Sequence, residues 1–110
     1  MPRPMEDIRV LDLTWVLAGP FASMILADLG AEVVKVERPP NGDISRTTGP
    51  YQNGWSGYFF SINRGKKSIS IDLRSGDGKE LFLKLVEKAD VVIENFTPGT
   101  MARLGLGYDI

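Results

Sequence analysis

Aliphatic residues arrive in short unbroken runs over the first third of the chain. Ile8 to Leu13 reads Ile-Arg-Val-Leu-Asp-Leu, and Glu32 to Arg38 reads Glu-Val-Val-Lys-Val-Glu-Arg. Runs of this kind suit strands covered on both faces. Between them Phe21, Met24, Ile25 and Leu29 recur at helical spacing, which predicts a helix laying one apolar stripe on a sheet. Gly19-Pro20 marks its start, with proline at the first helical position, and Gly30 permits the left-handed residue that closes a helix. Two such strands joined by one helix form a right-handed parallel crossover, whose ligands bind beyond the carboxyl ends of the strands. Thr14 to Gly19 and Glu37-Arg38 fall at that edge.

Residues 1–7 carry two prolines and little apolar content, and read as a disordered lead-in. After Arg38 the run Pro39-Pro40-Asn41-Gly42-Asp43 interrupts all periodicity, predicting a long loop to about Tyr58. Its aromatic residues Tyr51, Trp55, Tyr58, Phe59 and Phe60 are expected to pack, with Phe59 and Phe60 as a lid on the core. Ser68 to Leu73 alternates like a strand. A helix follows from about Gly76 to Ala89, capped by Ser75 or Asp77, with Phe82, Leu85, Val86 and Ala89 buried. Asp90 to Glu94 is the next strand of parallel type. Thr97 and Pro98 then cap and open a short helix carrying Met101, Ala102 and Leu104. Strands alternating with helices in this order give an α/β sheet over residues 8–110.

The 110 residues hold 13 Lys and Arg against 14 Asp and Glu, a formal net charge of −1. That balance supplies no general attraction to nucleic acid or anionic lipid, so neither is expected as a partner. Cysteine and histidine are both absent, which excludes disulfides, thiol nucleophiles, histidine acid/base chemistry and the usual zinc ligand sets. No run is long enough to span a membrane and no signal-like segment opens the chain, so a cytoplasmic location is the expectation.

A nucleotide is the first ligand to test on such an edge. The loop Thr14 to Pro20 has a single glycine, so the three-glycine dinucleotide turn is missing and an NAD-dependent oxidoreductase is disfavoured. Asn63-Arg64-Gly65-Lys66-Lys67 is not a P-loop either, because Phe60 stands where its first glycine belongs and Lys67 where Ser or Thr belongs. Those cations contact a phosphate or form a solvated turn. Together with Arg38, Arg74 and Arg103 they could converge on one edge, which suggests a ligand with more than one phosphate. Each arginine taken singly is more commonly a surface residue.

Several longer stretches carry a resemblance. Val10-Leu11-Asp12-Leu13-Thr14, Leu17-Ala18-Gly19-Pro20-Phe21 and Ala27 to Pro39 resemble the opening of the family III coenzyme A transferases, a family that also includes acyl-CoA racemases. The likeness continues through Asn63 to Ile69, Asp72-Leu73, Glu94 to Gly99 and Leu104 to Tyr108, and covers nearly the whole chain. It implies a Rossmann-like parallel sheet with crossover helices, the N-terminal portion of a larger domain, holding the adenosine diphosphate end of coenzyme A. By position, Val16, Leu17, Arg38, Ile71, Asp72, Leu73, Arg74, Asn95, Phe96, Thr97 and Arg103 match family residues that contact the cofactor. Leu17 departs from the formyl-CoA type, which carries glutamine there, and Leu-Ala-Gly-Pro-Phe is more similar to dicarboxylate-using or uncharacterised members.

The resemblance further implies transfer of coenzyme A between an acyl-CoA and a carboxylic acid through an aspartyl intermediate, in an interlocked homodimer without metal. The nucleophilic aspartate of the family lies beyond the position of Ile110, so no catalytic residue is expected in this chain, which would stop before the catalytic region. Asp12, Asp28, Asp43, Asp72 and Asp90 read as strand ends, turns or caps. Two other functions fit the same residues: an acyl-CoA racemase with the same cofactor site, and a nucleotide-binding or interaction module without chemistry.

Overall fold

A computed structural model describes residues 2–110 of the chain. Four parallel strands form its sheet: β1 (Arg9–Asp12), β2 (Glu32–Glu37), β5 (Lys67–Ser70) and β6 (Val91–Ile93). Between β2 and β5 lie a 3-10 turn (Ile44–Thr47) and a two-stranded hairpin of β3 (Tyr51–Gln52) and β4 (Trp55–Ser56). The helices are α1 (Ala18–Asp28), α2 (Gly57–Asn63), α3 (Gly76–Val86) and α4 (Thr100–Arg103). Across the sheet the order is β5-β2-β1-β6. Counting only sheet strands, this is the 3-2-1-4 succession of half a doubly wound fold, and its reversal falls between β1 and β6.

Alternation along β1 and β2 divides the core between the two faces. Leu11, Leu13 and Val36 pack with Ile71, Phe82 and Leu106 on the side of α3 and α4, while Val10 and Val33 pack with Ala27 and Ala31 on the side of α1. The register sets Val10 beside Val33 and Leu11 beside Val34, so each face presents matched aliphatic pairs.

Several local expectations are revised. Helix α1 begins at Ala18, which puts Pro20 in its third position, and buries Gly19, Pro20, Ser23, Met24 and Ala27. Of the expected stripe only Met24 is inside; Phe21, Ile25 and Leu29 are each at least 40% exposed. The small residues allow α1 to approach the sheet closely, with Gly19 pressed on the Thr14 side chain where a Cβ would meet it at 2.3 Å. The proline-rich lead-in is a turn over residues 4–7, tied by the Met5 N–H to the Leu29 carbonyl at 3.0 Å, with Met5 packed against the Val10 cluster. The long loop contains the 3-10 turn and the hairpin, whose Asn53-Gly54 pair takes positive φ at both positions as a tight hairpin requires. Phe59 is buried there, but Phe60 is 55% exposed.

Strand β5 ends at Ser70, leaving Ile71 to Leu73 as a tail along the carboxyl edge. Helix α3 ends at Val86, and Ser75 is its cap, accepting the Gly78 N–H at 2.9 Å. Helix α4 is preceded by Gly99 in the left-handed region and not by a Thr97 cap.

Candidate functional site

The carboxyl ends of all four strands open on one edge, and the crevice at the order reversal lies between the loops that follow β1 and β6. Asn95, just after β6, spans it. Its Oδ1 accepts the Trp15 N–H and its Nδ2 donates to the Trp15 carbonyl, both at 2.9 Å. The Trp15 ring meets Phe96 edge-on with centroids 6.2 Å apart. Over the same ring, 4.9 Å from its centroid, lies the Arg38 guanidinium carbon. Arg38 and Asn95 therefore share one edge and one neighbour.

Two hollows flank this wall. The first, about 240 Å³, is lined by Leu13, Trp15, Val36, Ile71, Leu73, Phe96 and Leu104, with Glu37, Arg38, Asp72, Arg74 and Thr100 at its polar margin. The second, about 440 Å³, is lined by Trp15, Val16, Leu17, Ala18, Asn95, Phe96, Thr97 and Thr100. The expected site residues thus divide between them. Arg38 and Ile71 to Arg74 line the first, Val16, Leu17, Asn95 and Thr97 line the second, and Phe96 lines both. Arg103 lines neither; its guanidinium donates to Thr100 Oγ1 at 3.0 Å.

Charges around the first hollow are unevenly committed. Glu37 accepts two bonds from Arg46 at 2.7 Å, the Asp43 N–H at 2.9 Å and the Ser68 hydroxyl. Burial alone would raise its pKa, but these donors outweigh it and bring it down to about 2. Asp72 accepts the Arg74 N–H at 3.0 Å, the main cause of its lowered pKa, and pairs with the Arg74 side chain at 3.4 Å. Arg38 differs. Among the described residues no carboxylate lies within ion-pair distance of it; it lies over the Trp15 face and acts on Asp72 only through space.

Behind the edge, on the α1 face, the strands carry charge where an apolar core would be usual. Asp12 and Lys35 are register partners, and both are almost completely buried. Lys35 pairs with Asp43 at 2.8 Å and donates to the Thr14 carbonyl at 2.9 Å. Asp43 Oδ1 accepts the Val16 N–H at 3.2 Å. Asp12 accepts the Thr14 N–H at 2.8 Å, the Ser23 hydroxyl at 2.6 Å and Lys66 Nζ at 2.8 Å. Burial pushes the Asp12 pKa up, and Lys35 with these hydrogen bonds more than reverses it, so the group is held below its ordinary value. Backbone groups of Thr14, Trp15 and Val16 are each gripped by a side chain from elsewhere. Such a grip is what holds Val16, a β-branched residue, at φ 71° in the left-handed region.

The cations of Asn63 to Lys67 do not join the carboxyl edge. Arg64 pairs with Asp28 at 2.7 Å, Lys67 with Glu32 at 3.2 Å, and Lys66 is buried against Asp12, the Pro20 carbonyl and Asn63. This turn is structural, and the convergence of cations narrows to Arg38 and Arg74. Trp15 lines both hollows and is not among the expected site residues. The signal was present, since a tryptophan in a carboxyl-edge loop next to Val16 is placed to stack. The buried Lys35 had no such signal, because a lysine within Glu32 to Glu37 reads as an interruption of an apolar run.

Among the described residues no group of three or more carboxylates, histidines or cysteines stands ready to hold a metal ion, and no helix is long and apolar enough to cross a membrane. A family model described as CoA-transferase family III matches residues 5–110. The chain is 53% identical over 110 residues to succinyl-CoA:mesaconate CoA-transferase of Haloarcula hispanica, covering 96% of this chain and 28% of that protein. It is 51% identical over 108 residues to succinyl-CoA:glutarate CoA-transferase of Mus musculus, covering 97% and 25%. Among solved structures, a CAIB/BAIF family protein from Brucella suis superposes with a TM-score of 0.91 at 45% identity, covering 99% of this chain and 30% of that one. The chain spans little more than a quarter of the curated relatives it matches. With a family match over nearly its whole length, and a parallel sheet shared with solved relatives, the chain belongs to CoA-transferase family III.

Proposed function

We propose that residues 8–110 form the coenzyme A-binding part of an acyl-CoA:carboxylate CoA-transferase, and that Arg38 meets the ligand's phosphate end. The observation that carries this is an uncommitted guanidinium at the mouth of an apolar hollow, with Glu37 and Asp72 both engaged elsewhere. A planar cation on an aromatic face keeps its N–H edges for a phosphate. The apolar walls from Leu13, Ile71, Leu73 and Phe96 suit adenine, and the backbone of Ile71 to Leu73 adds polar groups for its edge. On this reading Val16, Leu17 and Thr97 line the path of the pantetheine arm through the second hollow, while Arg103 acts through Thr100.

Family membership supports a reaction of the following kind for a longer protein. A carboxylate of the longer protein attacks the thioester carbonyl, the carbon–sulfur bond breaks, and a mixed anhydride and the coenzyme A thiolate result. The thiolate then attacks the enzyme's carboxyl carbon, releasing the donor acid and leaving an aspartyl thioester. The acceptor acid repeats these steps in reverse, so the thiolate ends on the acceptor's acyl carbon and the enzyme carboxylate is restored. No aspartate here is assigned that role. Asp12 and Asp43 are buried and ion-paired, and Asp72 is tied to Arg74. The chain alone is therefore expected to bind and not to turn over. Relatives named for mesaconate, glutarate and oxalate support a carboxylic acid, and in particular a dicarboxylate, as acceptor. A cytoplasmic setting and a homodimer of the longer protein belong to the same reading, the latter supported by exposed Phe21 and Ile25 on α1 and Leu29 just after it.

Titration calorimetry with coenzyme A, 3′-dephospho-coenzyme A and NAD tests it. Coenzyme A should bind tightest, and Arg38→Ala should weaken it by about tenfold or more, the worth of one charge-assisted phosphate contact. Equal binding of all three, or indifference to Arg38→Ala, contradicts it.

A further inference from the structure

We infer that Asn95 and Trp15 are positioning residues for Arg38: Asn95 fixes the Trp15 peptide groups, and the Trp15 ring holds the guanidinium that faces the phosphate. The inference rests on reading the carboxyl edge as a coenzyme A site, and gives Asn95 a different part in it from direct contact.

Both polar ends of Asn95 are oriented by a single residue. Oδ1 takes the Trp15 N–H and Nδ2 gives to the Trp15 carbonyl, so the amide forms a closed ring across the β1–β6 crevice. That geometry fixes the direction in which the Trp15 side chain leaves the loop. Phe96, the residue after Asn95, then meets the indole edge-on and limits its rotation. What remains free of the ring is a face, and Arg38 lies over it.

Among the described residues no ion pair or side-chain hydrogen bond holds Arg38, and Asp72, already tied to Arg74, feels its charge only through space. Arg38 follows the last residue of β2, so without the indole its long side chain would sample many rotamers. Ordering such a side chain is a cost otherwise met at the moment of binding. A guanidinium already held on tryptophan, the best aromatic partner for a cation, has met that cost in advance. Asn95 is exposed and Trp15 only partly buried, so both can be altered without opening the core.

The test needs no ligand for its first half. Trp15 and Trp55 are the two tryptophans of the chain, and Trp55 lies outside both hollows, against Phe60 at 5.6 Å. In a Trp55→Phe background, Trp15 fluorescence is read with and without Arg38→Ala, and again with Asn95→Ala. Arg38→Ala should shift the emission when Asn95 is present and leave it unchanged when Asn95 is alanine. In the second half, calorimetry with coenzyme A should show Asn95→Ala weakening binding about fivefold with Arg38 present and less than about twofold in Arg38→Ala, while Trp15→Phe retains most of the affinity that Trp15→Leu loses. Trp15 emission indifferent to Arg38→Ala overturns the inference. Equal weakening by Asn95→Ala in both backgrounds also overturns it, because Asn95 would then act on the ligand directly. If coenzyme A fails to bind the parent chain, the site reading falls, and the fluorescence result by itself decides the positioning roles.

Discussion

Lys66 Nζ lies 2.8 Å from Asp12 Oδ2, and both side chains are almost wholly removed from water. The lysine comes from the turn before β5 and the aspartate from the end of β1, so the pair joins the far strand to the centre of the sheet under α1. Lys66→Met leaves a buried carboxylate short of its nearest cation. The expected loss is about 3–5 kcal/mol in urea denaturation, and Asp12→Leu added to it should recover part of that loss. A loss below about 1 kcal/mol would mean that the pair is solvated.

Glu37 predicts an acid-sensitive step. Its pKa is brought from an ordinary 4.5 to about 2 in the folded chain. A depressed carboxylate contributes stability that is complete above its unfolded pKa and is lost as pH falls through the folded one. The window is therefore from about pH 4.5 down to about pH 2, with a contribution on the order of 3 kcal/mol. Unfolding free energy measured across that range should fall more steeply in the parent chain than in Glu37→Gln. Parallel curves would contradict the assignment.

Two glycines in the first turn of α3 separate packing from propensity. A Cβ on Gly78 would stand 1.9 Å from the Asp72 carbonyl oxygen, whereas one on Gly76 would meet nothing within 4 Å. Gly78→Ala should cost about 1–3 kcal/mol and also weaken coenzyme A, because the segment it displaces is the Ile71 to Leu73 wall. Gly76→Ala should be neutral or gain up to about 1 kcal/mol, with binding unchanged. Thermal melts and one titration of each variant check this. The same loss from both would point to the turn as a whole rather than to the contact.

Much of this arrangement is legible in the residues. The aliphatic runs around Val10, Val33 and Val92 place three strands, and the crossover rule sends their carboxyl ends to one edge; that Arg38, Ile71 and Asn95 belong together there is implied by the family resemblance. Periodicity misled at α1. Phe21, Ile25 and Leu29 keep helical spacing, but small residues let the opposite side of the helix approach the sheet, and spacing does not say which side wins. Charge misled at Lys66 and Lys35. A lysine in a polar turn reads as solvated until a buried carboxylate 54 residues away is brought beneath it. Trp15 carries a signal in its loop position, but its pairing with Asn95, 80 residues further along, is visible only in the fold.

The most direct measurement is an amide-resolved NMR titration of the 15N-labelled chain with coenzyme A. Binding at the carboxyl edge predicts saturable shifts at Arg38, Ile71 to Arg74 and Phe96-Thr97, with Arg64 and Lys67 at the other end of the sheet unmoved. Shifts centred on Arg64 to Lys67, or none anywhere at saturating ligand, would contradict the account.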